Sequence, residues 1–207
     1  MMYIEMRKAN RTYRSAIRAE AAAATRACIV AAAADVLRSQ KIPAPVSMDA
    51  VAKAAGVTRL TVYNQFGSRN ALFEAVFDEC AKQGGVTRIP EAMTNPDPQK
   101  GLGRLIEIFC EFWASDPGLG RLHDEAAFDP EFAAALSKRN ERRRKAIMTL
   151  VSRMEIKGAA RADVIDAVFT LTSQQVYRSL LSPGRSASAT CKLISQLCEV
   201  AIKLRER

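Results

Sequence analysis

Between Arg59 and Asn64 the chain gathers side chains whose combined chemistry is hydrogen bonding to flat, edge-presenting groups and to anions: Arg59, Thr61, Tyr63 and Asn64, with Leu60 among them. If this stretch is helical, at about 100° per residue Val62 and Phe66 lie within about 40° of one another and face a core with Val57. Leu60 and Asn64 then point outward, Thr61 and Tyr63 flank them, and Arg59 reaches the same face from the first turn. Such a face offers donors for guanine and adenine edges, a methyl contact for thymine and hydroxyls for phosphate. The chemistry implied is reading of double-stranded DNA.

The flanking residues build the elements that would hold this face. Ser47 is suited to cap a first helix, Asp49 suits its positive end, and Val51, Ala52 and Ala55 give it one apolar side. Gly56 ends it, because the residue after a short helix often takes a positive φ that glycine adopts without steric cost. Thr58 then caps the second helix, completing a helix-turn-helix corner. After the Gly67 turn, Ser68 caps a third helix that runs apolar through Leu72, Phe73, Val76 and Phe77.

The order Ala55, Gly56, Val57, Thr58, Thr61, Tyr63, Phe66, Ser68 and Leu72 resembles the DNA-binding region of the TetR family of bacterial transcriptional regulators, over about Thr25 to Phe77. The resemblance implies that Thr58 and Tyr63 contact phosphate, that Arg59, Leu60 and Thr61 face bases, and that the N-terminal N–H groups of the next helix bind phosphate. Two positions depart from the family pattern. Arg69 stands for the usual lysine and keeps a phosphate-seeking charge, whereas Leu60 stands where small residues are common, so operator preference cannot be copied from relatives. The expected DNA-binding set is Ser47, Thr58, Arg59, Leu60, Thr61, Tyr63, Asn64, Ser68 and Arg69.

Composition agrees with an all-α protein carrying real cores: 207 residues, 48% apolar, net charge +9 and pI near 9.6. The excess of positive charge favours anionic partners. Ahead of the helix-turn-helix, Arg7, Lys8, Arg11, Arg14 and Arg18 outweigh Glu5 and Glu20. This reads either as an arm along phosphates or a minor groove, or as a solvated tail. A second run, Lys138, Arg139, Arg142, Arg143, Arg144 and Lys145, reads as a charged outer helix face. No apolar run is long enough to cross a bilayer and no signal-type segment follows the basic start, so a cytoplasmic location is expected and a membrane partner is not. Cys28, Cys80, Cys110, Cys191 and Cys198 lack metal or redox spacing and read as reduced core or interface residues.

The expected organisation is a basic arm at 1–24, a helix-turn-helix domain at 25–83, a linker at 84–100 and a second helical domain at 101–207. The first helix is expected over about 20–40, with Ile29, Ala33, Val36 and Leu37 buried, ending before Pro43. In the linker, Gly84, Gly85, Pro90, Pro96 and Pro98 forbid a continuous helix. Helices follow near 100–114, 117–126, 130–156, 161–181 and 187–205.

In the family, the second domain binds an inducer and forms the dimer. Phe109, Trp113, Phe128, Met148, Phe169 and Tyr177, with Phe112, Phe132 and Met154, are candidates to line an apolar cavity. Gln174, Gln175 and Arg178 would orient a ligand. Taken singly, any one of these residues suits ordinary core better than a ligand contact. His123, the single histidine, lacks partners at metal-ligand spacing, and no phosphate loop or nucleophile motif is present, so neither cofactor, metal nor catalysis is expected. Leu193, Leu197, Val200 and Leu204 form an apolar stripe on the last helix, and Val164, Val168, Leu171 and Leu180 on the one before. By resemblance these two helices pair with their two-fold mates; from the residues alone they could instead close the monomer core. The combined expectation is a homodimeric repressor released from a palindromic operator by a small-molecule effector. The alternative is a non-inducible architectural or cell-division DNA-binding protein of the same fold.

Overall fold

The computed structural model describes residues 2–40 and 44–204, with side chains from residue 16 onward. Among them are eleven α-helices, two 3-10 turns and no strand. The chain forms two compact units divided between Val76 and Phe77.

The first unit contains α1 (Met2–Ser39), α2 (Met48–Ala54), α3 (Arg59–Phe66) and the start of α4 (Arg69–Gln83). Helix α1 is longer at its N-terminus than the expected 20–40. The sequence holds no glycine or proline before Pro43 and is rich in alanine and arginine, so nothing stops the helix in that direction. Pro43 and the side chains of Arg7, Lys8, Arg11 and Arg14 lie outside what is described; Arg18 is exposed. The core of this unit is made by Ile29, Ala33 and Leu37 of α1, Val51 and Ala52 of α2, Val62 and Phe66 of α3, and Leu72, Phe73 and Val76 of α4, all buried. Val36 is only half-buried, and Cys28 is exposed rather than core, its thiol 3.7 Å from the Ala55 carbonyl oxygen.

The second unit contains the rest of α4, then α5 (Ile89–Met93), α6 (Pro98–Ser115), α7 (Gly118–Asp124), α8 (Pro130–Ser152), α9 (Gly158–Leu171), α10 (Gln174–Leu180) and α11 (Ala187–Lys203). Residues 84–100 are more ordered than a bare linker. Val86–Arg88 forms a 3-10 turn and α5 follows, with Pro90 and Pro98 in first turns where a missing N–H costs nothing. Arg153 donates to the carbonyls of Met93 and Asn95 at 3.0 and 2.6 Å, tying the end of α5 to α8.

Instead of one helix over 161–181, the chain breaks between α9 and α10. Ser173 caps α10 by accepting from the Val176 N–H, and the Thr172 hydroxyl donates to Val168 O at 2.7 Å. Helix α11 has two apolar faces. Ile194, Cys198 and Ile202 are buried within the unit, whereas Leu197, Val200 and Leu204 are 38%, 54% and 65% exposed. Val164 and Val168 of α9 are fully buried in the unit's own core, whereas Leu171 and Leu180, expected on the same seam, are half-buried.

Candidate nucleic-acid interface and second-domain cavity

Three hydroxyl caps set the geometry of the first unit. Ser47 accepts from the Asp49 N–H at 3.2 Å, Thr58 from the Thr61 N–H at 3.1 Å, and Ser68 from the Ala71 N–H at 3.1 Å. Each satisfies a backbone donor that a helix start would otherwise leave unpaired. Between α2 and α3, Gly56 takes φ +66° with open space where a Cβ would stand, so its conformation, not crowding, requires glycine.

With Val62 and Phe66 turned inward, α3 presents its other face to solvent. Leu60 is 69% exposed, Arg59 and Asn64 are exposed, and Thr61 and Tyr63 are half-buried beside them. Thr58 and Thr61 share a hydroxyl hydrogen bond of 2.8 Å. The Arg59 guanidinium lies 5.5 Å from the Tyr63 ring centre and 3.2 Å from the Asp49 carboxylate; Tyr63 and Asp49 both hold its pKa above the ordinary arginine value. Arg69, at the head of α4, stacks 4.5 Å over Phe73. Arg26 was not singled out in the sequence, yet it fixes α3 from α1. Its guanidinium sits 4.0 Å over Phe66 and donates to Gln65 O at 2.5 Å, a cation at the carbonyl end of the helix. The nine expected residues thus occupy the outward face of α3 and the starts of α2, α3 and α4.

The second unit carries a partly open cavity of about 320 Å³, walled by Phe77, Phe109, Phe112 and Trp113, with Asp78, His123, Arg139, Asn140, Arg142 and Arg143 as its polar groups. Trp113 packs edge-on to His123 at 5.3 Å, and its indole N–H donates to Thr172 O at 2.8 Å. His123 Nδ1 donates to Leu119 O at 3.0 Å; burial pushes the ring's pKa down, so it is held neutral with Nε2 as an acceptor.

The basic run on α8 is not wholly an outer face. Arg143 is 7% exposed and donates through Nη1 to Phe169 O and to the Thr172 hydroxyl, both at 2.7 Å. Arg139, one turn earlier, turns the same way and pairs with Asp78 at 2.7 Å. The spacing held the signal: Phe132, Leu136, Arg143, Ile147 and Leu150 follow one helical stripe, and all are buried.

Of the expected ligand residues, Phe109 and Trp113 line this cavity. Trp113 also borders a second hollow of about 330 Å³, with Gln174, Tyr177 and Arg178. There Arg178 is already paired with Asp124 at 2.9 Å. Phe169 lines neither hollow but stacks 4.1 Å from the Arg143 guanidinium. Phe128 and Met148 are about half exposed and line neither, and Phe132 is core.

A profile of bacterial regulatory proteins of the tetR family matches residues 29–76, the span from the α1 core through α4. The HTH-type transcriptional regulator EthR of Mycolicibacterium smegmatis is 34% identical over 150 residues, covering 71% of this chain and 68% of that protein. A solved TetR-family transcriptional regulator from Mesorhizobium loti superposes with a TM-score of 0.63 over 88% of this chain and 97% of its own, at 18% identity, and so shares the fold. The chain belongs to the TetR family of bacterial transcriptional regulators and is a DNA-binding protein.

Proposed function

We propose that the protein is a homodimeric repressor that is released from an inverted-repeat operator when a small molecule occupies the cavity of its second unit. The observation that carries this reading is the double membership of α4. Its first two turns, through Leu72, Phe73 and Val76, belong to the DNA-reading unit, while Phe77, Asp78 and Ala81 of the same helix line the cavity. A ligand that favours one setting of α4 acts on a helix rooted in the DNA-reading unit. Its leverage equals its differential affinity for the two settings, typically about 1–3 kcal/mol.

On the DNA side, Arg59, Leu60, Thr61 and Asn64 meet bases. Ser47, Thr58, Tyr63, Ser68 and Arg69 meet phosphate, with the first N–H groups of α4 beside them. Leu193, Leu197, Val200 and Leu204 fall within an arc of about 60° on α11, and that exposed stripe pairs with its two-fold mate. One short recognition helix reads few base pairs, so two half-sites supply both affinity and specificity. The same assignment puts the protein in the cytoplasm, with the DNA. A non-inducible DNA binder of this fold has no use for a hollow second unit, so the cavity supports the inducible reading. The test is a titration of a selected genomic site by fluorescence anisotropy, with sedimentation of the complex. Two chains per inverted repeat are expected. One chain per site, or equal affinity for shuffled DNA, contradicts the reading.

A further inference from the structure

The cavity is more specific than an apolar hollow, because a buried cation stands in its wall. Arg143 is more than nine-tenths buried, and among the described residues its hydrogen bonds go to two neutral acceptors, Phe169 O and the Thr172 hydroxyl, both through Nη1. Its Nε is buried without a partner. Burial pushes its pKa down to about 10. A buried charge is costly unless an opposite charge meets it.

The orientation of the group is fixed. Its guanidinium stacks at 4.1 Å on Phe169 and stands 5.9 Å from the centre of the Phe109 ring, a cavity wall. With Nη1 spent, the Nε–Nη2 edge is left, and two parallel N–H donors on one edge match the two oxygens of a carboxylate. The other charges leave the cavity positive. Arg139, Arg142 and Arg143 line it against Asp78, Asp78 is paired with Arg139, and His123 is neutral. The same wall is rich in aromatic rings: Phe77, Phe112 and Trp113 join Phe109.

We propose that this cavity takes a small organic monocarboxylate with an aromatic body, its carboxylate received on the Nε–Nη2 edge of Arg143 and its ring among Phe77, Phe112 and Trp113. The inference rests on reading the cavity as the effector site, and it names the class of effector. A phosphate monoester shares the anionic chemistry but brings more charge and a third oxygen, for which this wall offers no second unpaired cation of equal burial.

Trp113 is the sole tryptophan of the chain and lines the cavity, so its fluorescence reports occupancy directly. The full-length protein is titrated with phenylpropanoate, with its neutral isostere phenylpropanamide, and with phenylpropyl phosphate. Wild type is expected to bind the carboxylate at least tenfold more tightly than the amide and more tightly than the phosphate. Arg143→Met should bind acid and amide alike, and Arg143→Lys should keep part of the preference. Because the acid-to-amide contrast is read on wild type, the outcome stands even if a variant fails to fold. Equal binding of acid and amide, tighter binding of the phosphate, or no change in Trp113 emission with any of the three overturns the proposal. DNA release is measured in parallel. Selective carboxylate binding without release leaves this site standing and refutes the effector reading, whereas release by compounds that ignore Arg143 does the reverse.

Discussion

Arg59 and Asp49 face each other across the helix-turn-helix corner, Nη1 lying 3.2 Å from Oδ2, so the arginine heading the recognition helix is engaged by a carboxylate in the free protein. Both side chains are more than half exposed, and a pair of this kind contributes little to folding. Under the proposed DNA contacts, the carboxylate would compete with base edges for Arg59 and repel phosphate. Asp49→Ala is expected to raise affinity for random DNA more than for the operator, lowering the ratio between them. Anisotropy titrations on both DNAs check this, and an unchanged ratio would place the pair outside the interface.

Contacts to phosphate and to bases separate by their dependence on salt and sequence. Tyr63→Phe and Arg69→Ala should weaken binding to all DNA, with the salt slope falling by about one counterion for Arg69. Leu60→Ala and Asn64→Ala should instead change the selected motif, each lost base contact costing about 1–3 kcal/mol on the right site and less on random DNA. An identical motif for both variants would show that these side chains do not read bases.

The corner itself rests on Thr58 and Gly56. Thr58→Ala removes the acceptor 3.1 Å from the Thr61 N–H and should cost about 1 kcal/mol of stability. Gly56→Ala meets no atom within 4 Å but holds a side chain at φ +66°, for about 1–2 kcal/mol. Urea midpoints measure both, and a neutral Gly56→Ala would mean that the turn relaxes to another conformation.

These local features were legible in the sequence because each depends on a few neighbouring residues: the Ser47, Thr58 and Ser68 caps, the positive φ of Gly56, and the inward pair Val62 and Phe66. The second unit was less legible. A run of arginines reads as a solvated face, and only its register with Phe132, Leu136, Ile147 and Leu150 marks Arg143 as an inward residue. His123 faces a cavity because α4, α6 and α8 converge on it, which no local pattern records. Conversely, Phe128 and Met148 are apolar yet exposed, since burial is decided by the element on the far side of a helix.

The outer stripe of α11 predicts a specific effect on assembly. In the single chain Leu197 is already 38% exposed, so Leu197→Glu should leave a folded protein. Across a two-fold seam the same change buries an unpaired carboxylate, and the variant should sediment as a monomer with unchanged circular dichroism and lose tight operator binding. A folded Leu197→Glu dimer would remove this stripe from the interface.

His123 gives the fold a dependence on acid. Its folded pKa is depressed, so the unfolded chain binds the extra proton first. The stability from neutral His123 is therefore complete above the unfolded value of about 6.5 and is lost as pH falls below it toward the folded pKa. Wild type should lose more stability than His123→Gln between about pH 7.5 and about pH 5 in paired urea titrations. Parallel curves would mean that His123 does not contribute.

The central claim is that the outward face of α3 reads DNA sequence. Selection of fragments from genomic DNA by the purified full-length protein, run beside Arg59→Ala, tests it most directly. Wild type should enrich an inverted repeat whose half-sites lie about one helical turn apart, or a multiple of one, and Arg59→Ala should lose or alter it. A folded wild-type protein that enriches no sequence at low salt, or an Arg59→Ala variant that returns the same motif at the same strength, would contradict the account.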